Sequence, residues 1–319
     1  MRLRPITLLS LAAASALLLS GCAGAAEPDA SSPAPTEAAV DLCDAQAPTG
    51  EAAESVTIDG KPGTESTLSF ETPLDVDALQ VATVDSGDGA QVEAGDFISY
   101  ALNVFSATTG EQIGAYGYVD GEMMPAQISP ESLYGQVFGC GHVGDRVVAV
   151  FPATDDYDGE VYALDLLGTV PTAAWGEEQA PVEGMPTVAL AEDGTPTITV
   201  PDTDAPGETK VSVLKKGDGY QVQSGDYVLI QFRGARWSTG ELFDGGDTWA
   251  GGSPYPGQTT GFVPGFQQAL DGQTVGSQVL VVITPEDGYG AGEINDKDLK
   301  GETLVFVIDI IGAQHIEAQ

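Results

Sequence analysis

The sequence predicts an α+β protein of two successive domains, each a curved antiparallel sheet wrapped around one short helix. Three observations predict it. First, the chain repeats itself. Ser86-Gly87-Asp88-Gly89-Ala90-Gln91-Val92 returns as Lys216-Gly217-Asp218-Gly219-Tyr220-Gln221-Val222, and Thr109-Gly110-Glu111 returns as Thr239-Gly240-Glu241. Leu164-Asp165-Leu166-Leu167-Gly168 returns as Ile308-Asp309-Ile310-Ile311-Gly312. A period this long marks a duplicated domain, because solenoid units are much shorter. Second, strand periodicity dominates the second copy. Third, one short helical stretch interrupts those strands.

Taken in order, the second copy opens on residues 187–214. Apolar and polar residues alternate there with prolines between them, which suits edge strands or a wrapping arm. Val228, Ile230 and Phe232 then alternate with Leu229, Gln231 and Arg233, a strand with one apolar face. Residues 263–272 read as the helix. Pro264 fits its first turn, Gly272 fits its stop, and Phe266 and Leu270 share a face. Residues 279–284 form a nearly continuous β-branched run, a buried strand. Leu304, Phe306, Ile308 and Ile310 occupy one face of a final strand.

The N-terminus bears on location. Arg2 and Arg4 precede an apolar run, residues 6–19, that is short for a bilayer span and suits a cleaved leader. Leu19-Ser20-Gly21-Cys22 follows and resembles the lipobox of bacterial lipoproteins. That resemblance implies a lipoprotein signal peptide over 1–21, acylation of Cys22, and a lipid-anchored protein on the extracytoplasmic face of the cell membrane. The alternative is an ordinary secretory leader with a stray cysteine. Residues after Cys22 are mostly Ala, Pro, Ser, Thr and Glu, too poor in apolar bulk to pack, and predict a flexible tether over 22–45. The first domain is expected over 46–172, a Pro-, Gly- and Glu-containing linker over 173–183, and the second domain over 184–319.

The formal charge of −37 argues against nucleic acid as a partner, since a phosphate backbone would be repelled. Asp202-Thr203-Asp204 and Asn295-Asp296-Lys297-Asp298 are acidic clusters without the spacing of a calcium loop. No metal and no cofactor is expected. Cys43 and Cys140 remain once Cys22 is assigned to lipid. In an exported chain they are expected to form a disulfide, the alternative being two separate buried thiols. Closing a loop of about 100 residues stabilises by roughly 4–5 kcal/mol in the chain-entropy model.

Five pieces in residues 225–312 carry a family resemblance: Val228-Leu229-Ile230-Gln231-Phe232, Leu242-Phe243-Asp244, Phe262-Val263-Pro264-Gly265-Phe266, Pro285-Glu286-Asp287-Gly288-Tyr289-Gly290 and Thr303-Leu304-Val305-Phe306-Val307. Their order and spacing resemble the FKBP-type peptidyl-prolyl isomerases. The resemblance implies an enzyme that rotates the bond before proline in polypeptides, with no covalent intermediate. It implies catalytic roles for Phe243, Asp244 and Tyr289. Asp244 would lie beside the twisting carbonyl, and the Tyr289 hydroxyl would bond the peptide. It implies a substrate-binding wall of Phe232, Tyr255, Phe262, Phe266 and Phe306, with the Val263 N–H holding a substrate carbonyl. Phe232 and Phe266 stand where the family usually has tyrosine and tryptophan. Residues 291–301 lack the usual Ile-Ile-Pro-Pro pattern, leaving Ile294 or Leu299 as the lip residue.

The first copy keeps the frame and departs at the site. It has Ile113-Gly114 in place of Phe243-Asp244, and Ser129-Pro130-Glu131-Ser132-Leu133-Tyr134 in place of residues 263–266. Tyr157 echoes Tyr289, with Asp158 for the glycine. This predicts a degenerate domain without isomerase activity, left to bind a peptide or partner or to act as a spacer. The expected function is isomerisation of exported proline-containing polypeptides by the second domain. The alternative is a non-catalytic peptide-binding or chaperone lipoprotein on the same scaffold.

Overall fold

A computed structural model describes residues 41–155 and 157–316. The leader, Cys22 and the tether through residue 40 lie outside the described residues. In the first copy the elements are α1 (Leu42–Ala45), α2 (Glu51–Ser55), β1 (Thr57–Asp59), β2 (Thr67–Ser69), β3 (Gln80–Asp85), β4 (Phe97–Ser106), β5 (Gln112–Tyr116), β6 (Ala126–Gln127), α3 (Leu133–Phe138), β7 (Arg146–Phe151) and β8 (Glu160–Val170). The second copy follows with β9 (Glu177–Glu178), β10 (Thr187–Leu190), β11 (Pro196–Thr199), β12 (Lys210–Lys216), β13 (Tyr227–Arg236), β14 (Leu242–Asp247), β15 (Tyr255–Gln258), α4 (Pro264–Leu270), β16 (Gln278–Ile283) and β17 (Leu304–Gln314).

The two main sheets have one strand order. The first runs β3-β7-β8-β4-β5, with β6 on β4; the second runs β12-β16-β17-β13-β14, with β15 on β13 and β9 added at the β12 edge. The pairings are antiparallel. Few helices and mostly antiparallel strands make this an α+β protein, as the sequence predicts.

Helix α4 begins at Pro264, whose missing N–H costs nothing in a first turn. It buries Phe266, Ala269 and Leu270 against Val228, Ile230, Val281, Ile308 and Ile310. Gly265 permits the close approach: a Cβ there would stand 2.5 Å from Ile283 Cγ2. The opposite sheet face is also covered. The β10–β11 hairpin lays Val188 and Ile198 near Met185, Trp237, Leu280, Val282, Val305 and Val307. Residues 187–214 therefore do both things expected of them, since the hairpin wraps the sheet and β12 joins it. Covering both faces explains why β16 and nearly all of β17 are buried throughout, beyond the single apolar face read from alternation. The β1–β2 hairpin of the first copy packs the same way, with Leu68 and Ile58 near Phe105, Val148 and Val161.

Two boundaries need correction. The expected tether ends early, because Leu42 is buried with Val137 and Phe138, Asp41 caps α1, and Cys43 is bonded to Cys140. Residues 41–45 thus belong to the first domain. The expected linker is also structured. The buried Ala174 donates its N–H to Asp309 Oδ2 at 2.8 Å, Gly176 donates to the Gly276 carbonyl at 2.9 Å, and β9 pairs with β12. A polar, Pro- and Gly-containing composition suggests a solvated segment, but main-chain pairing at a sheet edge makes small demands on side chains.

The copies meet through a small apolar cluster of Phe97, Leu229 and Ile311 with Met124 and Val170. His315 N–H donates to the Gly121 carbonyl at 2.7 Å, and Gln314 Nε2 to the Glu122 carbonyl at 2.9 Å. They differ at one buried pair. Across β7–β8, Arg146 faces Asp165, with Nε and one Nη bonding the two carboxylate oxygens at 2.6 and 2.7 Å. The same guanidinium bonds the carbonyls of Gly60, Lys61 and Thr64. Across β16–β17, Gln278 faces Asp309 and donates to it at 2.7 Å.

Candidate functional site

Six aromatic rings converge on the α4 side of the second sheet. Phe266 on α4 and Phe306 on β17 are buried to 4% and 5% exposure and form the floor; their centroids are 5.1 Å apart, edge to face. Phe232 on β13 meets both, at 5.6 Å and 6.2 Å. Phe262 stacks on Phe266 at 4.7 Å, and Phe243 on β14 meets Phe306 at 5.6 Å. Tyr255, half exposed, closes the rim at 6.2 Å from Phe232 and 6.3 Å from Phe262. Edge-to-face contacts suit the ring quadrupoles. Burial grades from floor to rim, as a site open on one side requires.

Each ring is placed by its element. Phe232 is paired to Ile308 across β13–β17, which fixes it beside Phe306. Residue 234 must be glycine for the Phe243–Phe306 contact. A Cβ on Gly234 would lie 2.6 Å from Phe306 Cε1 and 2.8 Å from Phe243 Cζ. The sequence reading passed over this glycine, although it sits between Phe232 and Leu242 in a strand otherwise rich in bulky residues.

Val263 is the N-cap of α4, and its N–H has no acceptor among the described residues, so it is free to meet a carbonyl from outside. Tyr289 stands 50% exposed, and its hydroxyl has no partner among the described residues. Its loop is fixed: Gly265 N–H donates to the Asp287 carbonyl at 2.9 Å, and Thr209 Oγ1 to Asp287 Oδ2 at 2.6 Å. Tyr289 makes no ring contact with the six aromatics.

Asp244 is exposed and without a hydrogen bond among the described residues. It lines a groove of about 390 Å³ with Phe243, Leu242, Arg236, Lys297 and Leu299, and that groove does not include Phe266, Tyr289 or Phe306. The polar network beside Phe232 joins Gln231 and Arg233, read from the sequence only as strand positions, to Asp247 and Thr248, which that reading did not name. Arg233 bonds Asp247 Oδ2 at 2.9 Å and the Pro196 carbonyl at 3.0 Å. Thr248 Oγ1 accepts the Phe232 N–H at 2.8 Å and bonds Gln231 Oε1. Asp244 and Asp247 flank Gly245-Gly246 within β14, and strand register carries only Asp247 opposite Arg233.

The altered loop after Tyr289 is held by Arg236, which donates to the carbonyls of Asn295 at 3.1 Å and Asp298 at 3.3 Å. Leu299 faces the groove and the core, while Ile294 is 57% exposed. The acidic cluster 295–298 is a turn, with Asn295 Oδ1 accepting the N–H groups of Lys297 and Asp298. Among the described residues no group of three His, Cys, Asp or Glu side chains is placed to hold a metal ion.

The family profile of the FKBP-type peptidyl-prolyl cis-trans isomerases matches residues 219–311. The probable FK506-binding protein of Corynebacterium glutamicum is 34% identical over 118 residues, 37% of this chain and 98% of that protein. The FK506-binding protein of Streptomyces anulatus is 31% identical over 119 residues, 36% of this chain and 94% of that protein. The crystal structure of FkpA from Escherichia coli aligns at TM-score 0.31 and 21% identity, covering 42% of this chain and 54% of that one. By its likeness to the two FK506-binding proteins, the chain belongs to the FKBP-type peptidyl-prolyl cis-trans isomerase family.

Proposed function

We propose that the second copy is the active isomerase, acting on exported proline-containing polypeptides at the cell envelope, and that the aromatic bowl is its site. The observation that carries this reading is the convergence of Phe232, Phe243, Tyr255, Phe262, Phe266 and Phe306 from separate elements. A rotation barrier of about 18–20 kcal/mol separates the two forms of the amide bond. At the midpoint the amide is twisted, loses resonance and carries less charge on oxygen. A dry aromatic wall favours that form over the planar, better-hydrated one, and each ~1.4 kcal/mol of preference gives a tenfold rate. The step breaks no covalent bond, so no nucleophile is required. Val263 N–H anchors a neighbouring carbonyl of the peptide. Tyr289 and Asp244 act from the rim, where an extended peptide crosses it.

Export and lipid anchoring are supported by the basic start, the apolar run and Leu19-Ser20-Gly21-Cys22. The Cys43–Cys140 disulfide suits an oxidising compartment. Labelled palmitate should enter the wild-type chain in cells and not the Cys22→Ser variant.

The exposure of Asp244 and Tyr289 favours a second reading, a peptide-binding scaffold without catalysis. A protease-coupled proline-peptide assay on the full chain separates the two. Turnover that falls in Asp244→Ala and Tyr289→Phe supports the isomerase; binding of the peptide without turnover supports the scaffold.

A further inference from the structure

In the first copy, the place that the aromatic bowl takes in the second is occupied by an open cavity of about 300 Å³. The register of the repeat puts Leu102 where Phe232 stands, Tyr134 where Phe266 stands, and Tyr162 where Phe306 stands. Three aromatics are thus replaced by one aliphatic side chain and two tyrosines, and Tyr157 lies where Tyr289 does. The walls are pre-formed. Tyr134 bonds Tyr100 through the two hydroxyls, with ring centroids 4.7 Å apart, and Phe151 meets Tyr162 edge to face at 5.0 Å. The loop carrying Tyr157 is closed by two hydrogen bonds between Thr154 and Tyr157, at 2.8 and 3.1 Å.

Two features point to a ligand. The rim exposes large apolar surface that packing would normally hide: Tyr157 is 76% exposed and Leu133 49%, and both line the cavity. Among the described residues, the charged ones lining it are both acids, Asp158 and Glu160. Glu160 Oε2 accepts the Tyr162 hydroxyl at 2.6 Å, which aims its carboxylate and leaves the second oxygen for a donor. Burial first, and then this carboxylate, push the Tyr162 hydroxyl well above the ordinary tyrosine range, so it stays a donor. An apolar hollow with a carboxylate rim suits an apolar side chain followed by a cation.

We infer that the first copy holds a second, non-catalytic polypeptide site, which takes an extended segment with a Leu- or Pro-sized side chain next to Lys or Arg. The apolar residue enters between Tyr134, Phe151 and Leu102, and the cation meets Asp158 and Glu160. Assigning the ligand as polypeptide rests on the reading of the second copy as a peptide-handling domain. A segment held here would raise the local concentration of the same client at the second copy.

The test uses the full chain and a short proline-free fluorescein-labelled peptide with Ala-Leu-Arg at its centre, beside an Ala-Leu-Glu counterpart, so that the proline site of the second copy does not compete. Fluorescence anisotropy should show the Arg peptide bound more tightly. Tyr157→Ala and Leu133→Ser should each weaken it by about tenfold, as loss of an interface anchor does. Asp158→Asn with Glu160→Gln should equalise the two peptides. Isomerisation of a proline tetrapeptide, followed in the same preparations, should be unchanged by all four substitutions. Binding insensitive to Tyr157→Ala and Leu133→Ser, or equal affinity of the wild type for both peptides, overturns the inference. If isomerisation is absent while these variants still weaken binding, the inference stands and the catalytic reading of the second copy falls.

Discussion

Phe243 and Phe306 meet edge to face, 5.6 Å between centroids and 88° between planes, because nothing but hydrogen projects from Gly234 between them. A methyl group there has no room at 2.6–2.8 Å from two ring carbons, and close-packed interiors do not absorb such an overlap freely. Gly234→Ala is therefore expected to displace one ring while leaving the sheet intact. The fall in kcat/KM should be on the order of 10²-fold, the cost of a displacement near 1 Å at a reacting centre. Circular dichroism should stay native. An unchanged rate would separate the bowl from catalysis.

The buried Asp309 makes stability depend on pH. Burial raises its carboxyl above the ordinary value, opposed by the Ala174 N–H, the Gln278 amide and the Lys215 charge. The folded value therefore exceeds the unfolded one, about 3.9. Stability from proton uptake is fully present below the unfolded value and is lost as pH rises through the folded value. Asp309→Asn should melt above wild type at pH 7, by about 2–4 °C for each 1 kcal/mol recovered. That advantage should shrink as pH falls towards 4. An advantage constant from pH 4 to 7 would contradict the assignment.

Arg146 and Asp165 show the opposite arrangement, a fully buried pair whose polar atoms are matched. Removing one member strands the other, which costs about 3–5 kcal/mol. Arg146→Gln, which copies the second domain's solution, should lower unfolding free energy by that amount, because Gly60, Lys61 and Thr64 also lose their donor. Urea unfolding with hydrogen exchange along β7 and β8 reads it; a change under 1 kcal/mol would contradict it.

The Cys43–Cys140 bond spans 97 residues and ties α1 to the end of α3. Removing a bridge of this span typically costs about 2–5 kcal/mol. Paired Cys43→Ser and Cys140→Ser substitutions should lower the first copy's unfolding midpoint and leave tetrapeptide isomerisation at 25 °C unchanged. A parallel loss of isomerisation would show that the second copy depends on the first for its fold.

Much of this was legible in the sequence, for identifiable reasons. The repeat, the Pro264 start and the Phe266–Leu270 face are local patterns, and the five-piece order carried the aromatic set. What escaped was set by packing over distance. Burial of Val305 and Val307 depends on a hairpin more than a hundred residues upstream. The roles of Asp244 and Asp247, two acids around one glycine pair, are divided by strand register, which no short window contains. The first copy's cavity was hidden because Tyr134 reaches the position of Phe266 within a dissimilar local sequence. The N-terminal boundary slipped because a four-residue helix stabilised by one buried leucine and a disulfide looks like tether in composition.

The most direct measurement of the central claim is exchange spectroscopy by NMR on a proline tetrapeptide, which reads the cis–trans rate without a protease. Catalytic amounts of the full chain should accelerate exchange. Phe306→Leu and Phe232→Leu should each cut that acceleration by about tenfold or more, the rate equivalent of ~1.4 kcal/mol, while Tyr162→Leu in the first copy leaves it intact. Equal acceleration by wild type and both second-copy variants would contradict the account.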